Sequence, residues 1–442
     1  MLQTPIGALC LGVVLSVVPA SAEPDRSTCD VQPVVDALQS DGLLAELGRE
    51  LFYDPILSGN RNVACATCHH PAFGTSDGVS LSLGDGGTGL GPKRQVDTTN
   101  IPEKRIPRNA QSLFNLAYPE FDVMFHDGRV ERLETGMIRT PLGDLAGADA
   151  QSVLAVQAGF PVLSADEMAG HYSENAVAQA VRRGVLTGPG GARQILADRV
   201  AEVPAYRARF SKIFGSEVRI TYPKIGRALA AFIAHEWRAD DSPFDRYLCQ
   251  GELLEPEAAK GMDLFYGKAG CSSCHAGRFQ TDHGFHSIAL PQIGPGKAAR
   301  FEDHSRDTGR MRVTGDPNDA YKFKTPSLRN VTLTAPYGHS GAYLDLRSMI
   351  LHHLDPVSAW THFDRTRPVL PILASASDFE ILDSKVDGAA ILSAREQYLP
   401  ALTDTEINHL IAFLHALTDR TGIDGRLGVP ESVPSGLPVP NP

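Results

Sequence analysis

Between Asp404 and Leu417 the apolar side chains fall at Ile407, Leu410, Ile411, Leu414 and Leu417, three or four residues apart, so they share one helical face. Thr403 and Glu406 stand just ahead of that run as a capping box, which marks where the helix starts. Apolar spacing predicts further helices over 34–53, 149–158, 174–186 and 222–238. The end of the first, Gly48-Arg49-Glu50-Leu51-Phe52-Tyr53, recurs as Gly261-Met262-Asp263-Leu264-Phe265-Tyr266, in a helix opened by Glu255 and Pro256. Such a repeat predicts two copies of one small helical unit. Glycine and proline dominate 74–107, and 277–321 lacks helical spacing, so both are expected as long loops. The stretch 240–251 reads as a junction, and the tail from about Gly425, rich in Pro, Gly and Val, as extended or disordered. The earliest apolar run, Ile6 to Leu15, is short for a membrane span and leads to Ala20-Ser21-Ala22, the pattern of a cleaved export signal over 1–22.

Composition narrows this picture. The chain has 442 residues, beyond the usual size of one core, and 42% hydrophobic residues, enough to fill two. A net charge of -11 argues against nucleic acid and names no other partner. Export places the mature protein in the bacterial periplasm, an oxidising compartment.

The chemistry sits in two boxes, Cys65-Ala66-Thr67-Cys68-His69 and Cys271-Ser272-Ser273-Cys274-His275, each shortly after one copy of the repeat. CxxCH is the pattern that holds a c-type haem: both thiols form thioethers to the porphyrin, and the adjoining His ligates iron. A pair of zinc ribbons would need four soft ligands per site, and each box supplies three. Two covalently bound haem c groups are therefore expected, with the Leu-Phe-Tyr end of each repeated helix against the macrocycle. The expected layout is a signal peptide over 1–22, an N-terminal haem domain over 23–250, a C-terminal haem domain over 251–424 and a tail over 425–442. Setting aside Cys10 in the signal and the four haem cysteines leaves Cys29 and Cys249, a pair suited to a disulfide, or else two unpaired thiols.

The chain resembles the bacterial di-haem cytochrome c peroxidases and their relatives of the MauG type. The resemblance rests on Leu47 to Asp54, the two haem boxes, Pro107-Arg108-Asn109-Ala110, Asp127-Gly128-Arg129, Pro243 to Leu248, and Leu328-Arg329-Asn330-Val331 leading to Thr334-Ala335-Pro336-Tyr337. It implies a mainly α fold of two cytochrome c-like haem domains related by duplication, with long loops. It also implies an enzyme that reduces hydrogen peroxide at the N-terminal haem. The C-terminal haem would relay electrons from a small periplasmic cytochrome c or cupredoxin. A MauG-like oxidation of aromatic residues on a partner protein, or electron transfer without peroxide chemistry, are the alternatives, and a homodimer is compatible with the family. On the family's distal segment fall Gln157 and Glu167, the latter as acid and base toward peroxide. On its calcium ligands fall Asn109, Thr334 and Pro336, hard oxygen donors of the kind Ca2+ takes.

Three departures from the family pattern carry expectations. Where a loop His caps the first iron in classical members, Leu83 to Gly87 offers Asp85, so the first haem is expected to have His69 as its only protein ligand, with His70 facing away. Where the second haem takes a Met or Tyr, Leu346 to His353 places His353, with His352 and Met349 as rivals. A His ligand lowers the reduction potential relative to Met. Where a Trp lies between the haems, this chain has His126. An insertion also separates Arg129 from Gln157.

Overall fold

The computed structural model describes Pro24, Cys29, Gln32, Pro33, 42–143, 151–298, Glu302 and 304–442. The expected export signal lies outside these residues. So do 34–41 of the first helix, which is described as Leu43–Tyr53.

The fold is mainly helical, organised by two crossed helix pairs. Leu43–Tyr53 packs on Tyr222–Glu236, and Pro256–Tyr266 packs on Asp404–Ala416. One residue in each pair sets how closely the axes approach. A Cβ on Gly48 would lie 1.9 Å from the Ala228 carbonyl oxygen and 2.8 Å from Phe232 Cβ. A Cβ on Gly261 would lie 1.9 Å from the His409 carbonyl oxygen and 2.8 Å from Phe413 Cβ. Only glycine permits these backbones to touch. The Thr403–Glu406 capping box opens the last helix as its sequence requires, and Ile407, Leu410, Leu414 and Leu417 are buried.

Two apolar clusters follow the pairs. The first draws on residues from Leu44 to Ala239 together with Phe279 and Val433 and includes Trp237, Phe232 and Tyr206; the second spans Phe244 to Leu417. The expected junction 240–251 is instead a helix, Pro243–Gln250, started by a Ser242–Asp245 capping box. Its Phe244 and Leu248 pack in the second cluster. Cys249, at its end, is disulfide-bonded to Cys29.

The tail is extended and ordered against the first cluster, where Val433, Leu437 and Val439 pack. It is held because the buried Glu236 carboxylate accepts the backbone N–H groups of Arg426, Leu427 and Gly428 at 2.9, 2.6 and 2.8 Å. Composition alone conceals that hydrogen bonding.

The helices at the other predicted sites are shorter than their apolar spacing suggests, Val153–Gln157 and Ala176–Arg182. After Arg129, Val130–Arg132 and Ile138–Arg139 join Val123–Met124 in an antiparallel ribbon, with Glu131 opposite Arg139; 144–150 of the insertion lie outside the described residues. Phe285–His286 pairs with Phe323–Lys324, and the latter strand leads to both sites described next.

Candidate active site with two cavities

Each CxxCH box forms a short helical turn beside a cavity. Cys65, Cys68 and His69 line one of about 200 Å3, and Cys271, Cys274 and His275 line another of about 310 Å3. Of each repeated Leu-Phe-Tyr triplet only the Phe reaches a cavity, Phe52 in the first and Phe265 in the second. The helix turn points the Tyr elsewhere: Tyr53 meets Phe232 and His70 edge-on, and Tyr266 accepts a hydrogen bond from Gln280.

The donors fit a haem in both places. His69 Nδ1 lies 2.9 Å from the Thr75 carbonyl oxygen and His275 Nδ1 lies 3.0 Å from that of Gln280. Bonding one ring nitrogen to a carbonyl leaves Nε2 as the free, unprotonated ligand atom. Burial pushes the Cys65, Cys68 and Cys271 thiols up to about 12, surroundings that suit uncharged sulfur.

In the second cavity, His353 faces His275 with ring centroids 6.5 Å apart. Two imidazoles on opposite sides of one metal, with metal–nitrogen bonds of about 2.0 Å, place their centroids about 6 to 6.5 Å apart. His353 Nδ1 sits 2.8 Å from the Met349 carbonyl oxygen, which again leaves Nε2 free. The rival His352 has both nitrogens engaged, with the Tyr343 hydroxyl at 2.9 Å and the Ile288 carbonyl at 2.8 Å. Met349 also lines the cavity.

The first cavity differs on its open face. Gln157 ends the helix Val153–Gln157, capped by Ser152, and Glu167 sits in the π-helical turn Ala165–Ala169; both side chains line the cavity. Such turns often mark functional positions. The haem loop braces this one, since the Asp85 N–H donates to the Glu167 carbonyl at 3.0 Å. A Cβ on Gly84 would meet the Asp166 carbonyl oxygen at 2.0 Å, so glycine is needed at that contact too. The Asp85 carboxylate turns away from the cavity and accepts from Asn60 and Asn62 Nδ2 at 2.9 and 2.7 Å; burial raises its pKa. His70 faces away as expected, though not to solvent: it is buried between Tyr53 and Phe73.

Asn109, His126 and Lys324 line both cavities, while Thr334 and Pro336 line the second. Asn109 Nδ2 donates to the Val79 and Ser80 carbonyls at 2.9 and 3.2 Å, which turns its Oδ1 away from them. Burial, with Arg108 and His339 nearby, holds His126 well below the usual imidazole range, so this ring is neutral. Beside it Arg108 bridges the halves: it donates to Asp307 at 2.7 and 2.9 Å and to Asp127 at 2.7 Å.

Lys297 and Lys324 also line the first cavity. Burial lowers both ammonium groups to about 8, Lys297 with Arg129 and Arg108 adding to the effect. Neither is legible in the sequence, because each is a lone lysine far in the chain from the first box.

A fold with two such cavities, each walled by a CxxCH turn, defines a di-haem protein. The model of the family described as di-haem cytochrome c peroxidase matches residues 43–252. The methylamine utilization protein MauG of Methylorubrum extorquens is 30% identical over 312 residues, covering 70% of this chain and 67% of its own length. Cytochrome c551 peroxidase of Nitrosomonas europaea is 28% identical, covering 79% and 84%. Among solved structures, the diheme peroxidase BthA of Burkholderia thailandensis shares the fold, with a TM-score of 0.58 at 22% identity over 91% of this chain and 90% of that one. The chain belongs to the di-haem cytochrome c peroxidase and MauG family. It is a di-haem peroxidase-type oxidoreductase.

Proposed function

We propose that this protein is a periplasmic peroxidase that reduces hydrogen peroxide to water in the cavity of His69, fed with electrons through the cavity of His275 and His353. The observation that carries the reading is the inequality of the two cavities: one holds a facing pair of imidazoles, the other faces a carboxylate and an amide. Haem bound at His69 supplies the electrons that split the O–O bond. Glu167 takes a proton from one peroxide oxygen and gives it to the departing oxygen, and Gln157 orients the molecule by hydrogen bonding. Two electrons and two protons turn each peroxide into two waters. Asp85, held by Asn60 and Asn62, leaves the peroxide face uncovered, so no reductive activation is needed.

The second haem would be held by His275 and His353 at its iron and by Cys271 and Cys274 through thioethers. Asn109, Thr334 and Pro336 hold a calcium ion near the shared wall. The matched glycine contacts at Gly48 and Gly261 support two haem units derived by duplication. The donor is a small periplasmic cytochrome c or cupredoxin. A MauG-like role, oxidising aromatic residues of a partner protein, is favoured by the missing distal His, the non-Met second ligand and the relation to MauG, and is weakened by His126 standing where relatives carry a Trp.

Holoenzyme should oxidise a reduced small cytochrome or cupredoxin only when peroxide is present. The Glu167→Gln variant, with both haems attached, should lose about 10²–10⁴-fold in that rate. Peroxide-independent donor oxidation, unchanged in the variant, would leave only an electron carrier.

A further inference from the structure

The second half of the chain sends one segment into the first cavity. Gln292 anchors it, since its Nε2 donates to the Asp307 carbonyl at 2.6 Å and its Oε1 accepts from the Asp307 N–H at 3.1 Å. Gly294 then crosses the first haem loop so closely that a Cβ there would lie 2.1 Å from Leu81 Cδ1, and its N–H donates to the Asp378 carbonyl at 2.7 Å. Three residues later Lys297 lines the cavity wall with Glu167 and Gln157.

The charges around Lys297 can be paired off. Arg108 donates to Asp127 and Asp307, and Arg129 is bonded to Asp127 at 3.0 Å, so two cations answer two anions. Lys324 has Asp282 as its attractive charge, and Asp77 has Arg94. His126 is neutral, and burial lowers the pKa of His69. Glu167 is left within electrostatic reach of two cations on the cavity wall, Arg129, already bonded to Asp127, and Lys297, which Asp127 also attracts.

We propose that Lys297 is a cation of the peroxide cavity, positioned by the second half of the chain to help balance the negative charge left on the peroxide oxygens when Glu167 takes their proton. This rests on the peroxide reading above. Lys297 thus makes the first site depend on correct docking of the second half. Its charge is present at neutral pH and is lost as the pH rises through about 8. Below that value a small anion in the cavity is favoured; above it one cation fewer offsets the Glu167 carboxylate and the anion is held less well.

The test is spectroscopic titration of the ferric holoprotein with azide, which needs no turnover. Native protein should bind azide at the first haem with an affinity that falls as the pH passes about 8. Lys297→Met should lower the affinity at pH 7 by about tenfold and shrink that step to the part that Lys324 contributes. Lys297→Arg should keep the affinity and carry it to higher pH. Unchanged azide binding in Lys297→Met, with both haems attached, would overturn the proposal. So would an altered reduction potential of the first haem with azide affinity intact, which would make Lys297 a partner of a haem carboxylate. Should the Met variant lose haem, the Arg variant decides: an alkaline step near pH 8 as large as that of the native protein overturns the proposal. Protein that gives the expected azide result yet ignores peroxide would sink the peroxide reading alone.

Discussion

The imidazole rings of His275 and His353 lie across the second cavity with centroids 6.5 Å apart, a spacing that would let both reach one metal ion. His352, the adjacent residue, is tied at both nitrogens to Tyr343 and Ile288. His353→Ala should therefore convert the second haem from six- to five-coordinate, seen as a high-spin optical and EPR signal. His352→Ala should leave the ligation intact. His353→Met should raise the potential of that haem, because a thioether favours the ferrous state.

Gly48 and Gly261 predict a matched pair of stability effects. An added methyl meets a backbone carbonyl in both, so the helices must separate. Gly48→Ala and Gly261→Ala should each cost about 1–3 kcal/mol, read as a lower thermal midpoint of the holoprotein. A loss in one half only would show that the two contacts are not equivalent.

Much of this was legible in the sequence, for physical reasons that differ by residue. The CxxCH boxes and the Thr403–Glu406 cap are local chemistry, complete within a few residues. Gly48 and Gly261 show as a repeat because helix contact constrains the same position twice. The helix Pro243–Gln250 was hidden because its few apolar residues lie beside capping and charged ones, so it reads as a linker. Glu236 holding the tail, Gln292 anchoring the crossing segment and Lys297 in the first cavity depend on contacts between distant parts of the chain. No local pattern encodes them.

Acid should weaken the contact between the two halves. Burial alone would raise the pKa values of Asp307 and Asp127, but the Arg108 guanidinium overrides it and holds both well below the usual carboxylate range. The stabilisation is thus fully present above an ordinary carboxylate pKa of about 4 and is lost as the pH falls toward the lower folded values. Urea midpoints should drop steadily below about pH 4. Asp307→Ala should cost about 3–5 kcal/mol at neutral pH by leaving Arg108 under-paired, and should flatten the acid slope.

Calcium removal tests the wall between the cavities. Asn109 touches both, with Thr334 and Pro336 on the second. A calcium chelator should slow electron transfer from the second haem to the first, followed by stopped-flow absorbance, and Asn109→Ala should reproduce the effect. Transfer indifferent to chelator, in protein shown by elemental analysis to have lost its metal, would remove calcium from the account.

The central claim is that one cavity reacts with peroxide because Glu167 stands over an open face. Rapid mixing of the as-isolated ferric holoprotein with hydrogen peroxide, followed in the Soret region, tests it most directly. The account predicts an immediate change at the His69 haem without prior reduction, slowed about 10²–10⁴-fold in Glu167→Gln. No change in the native protein, or an equal change in the variant, would contradict it.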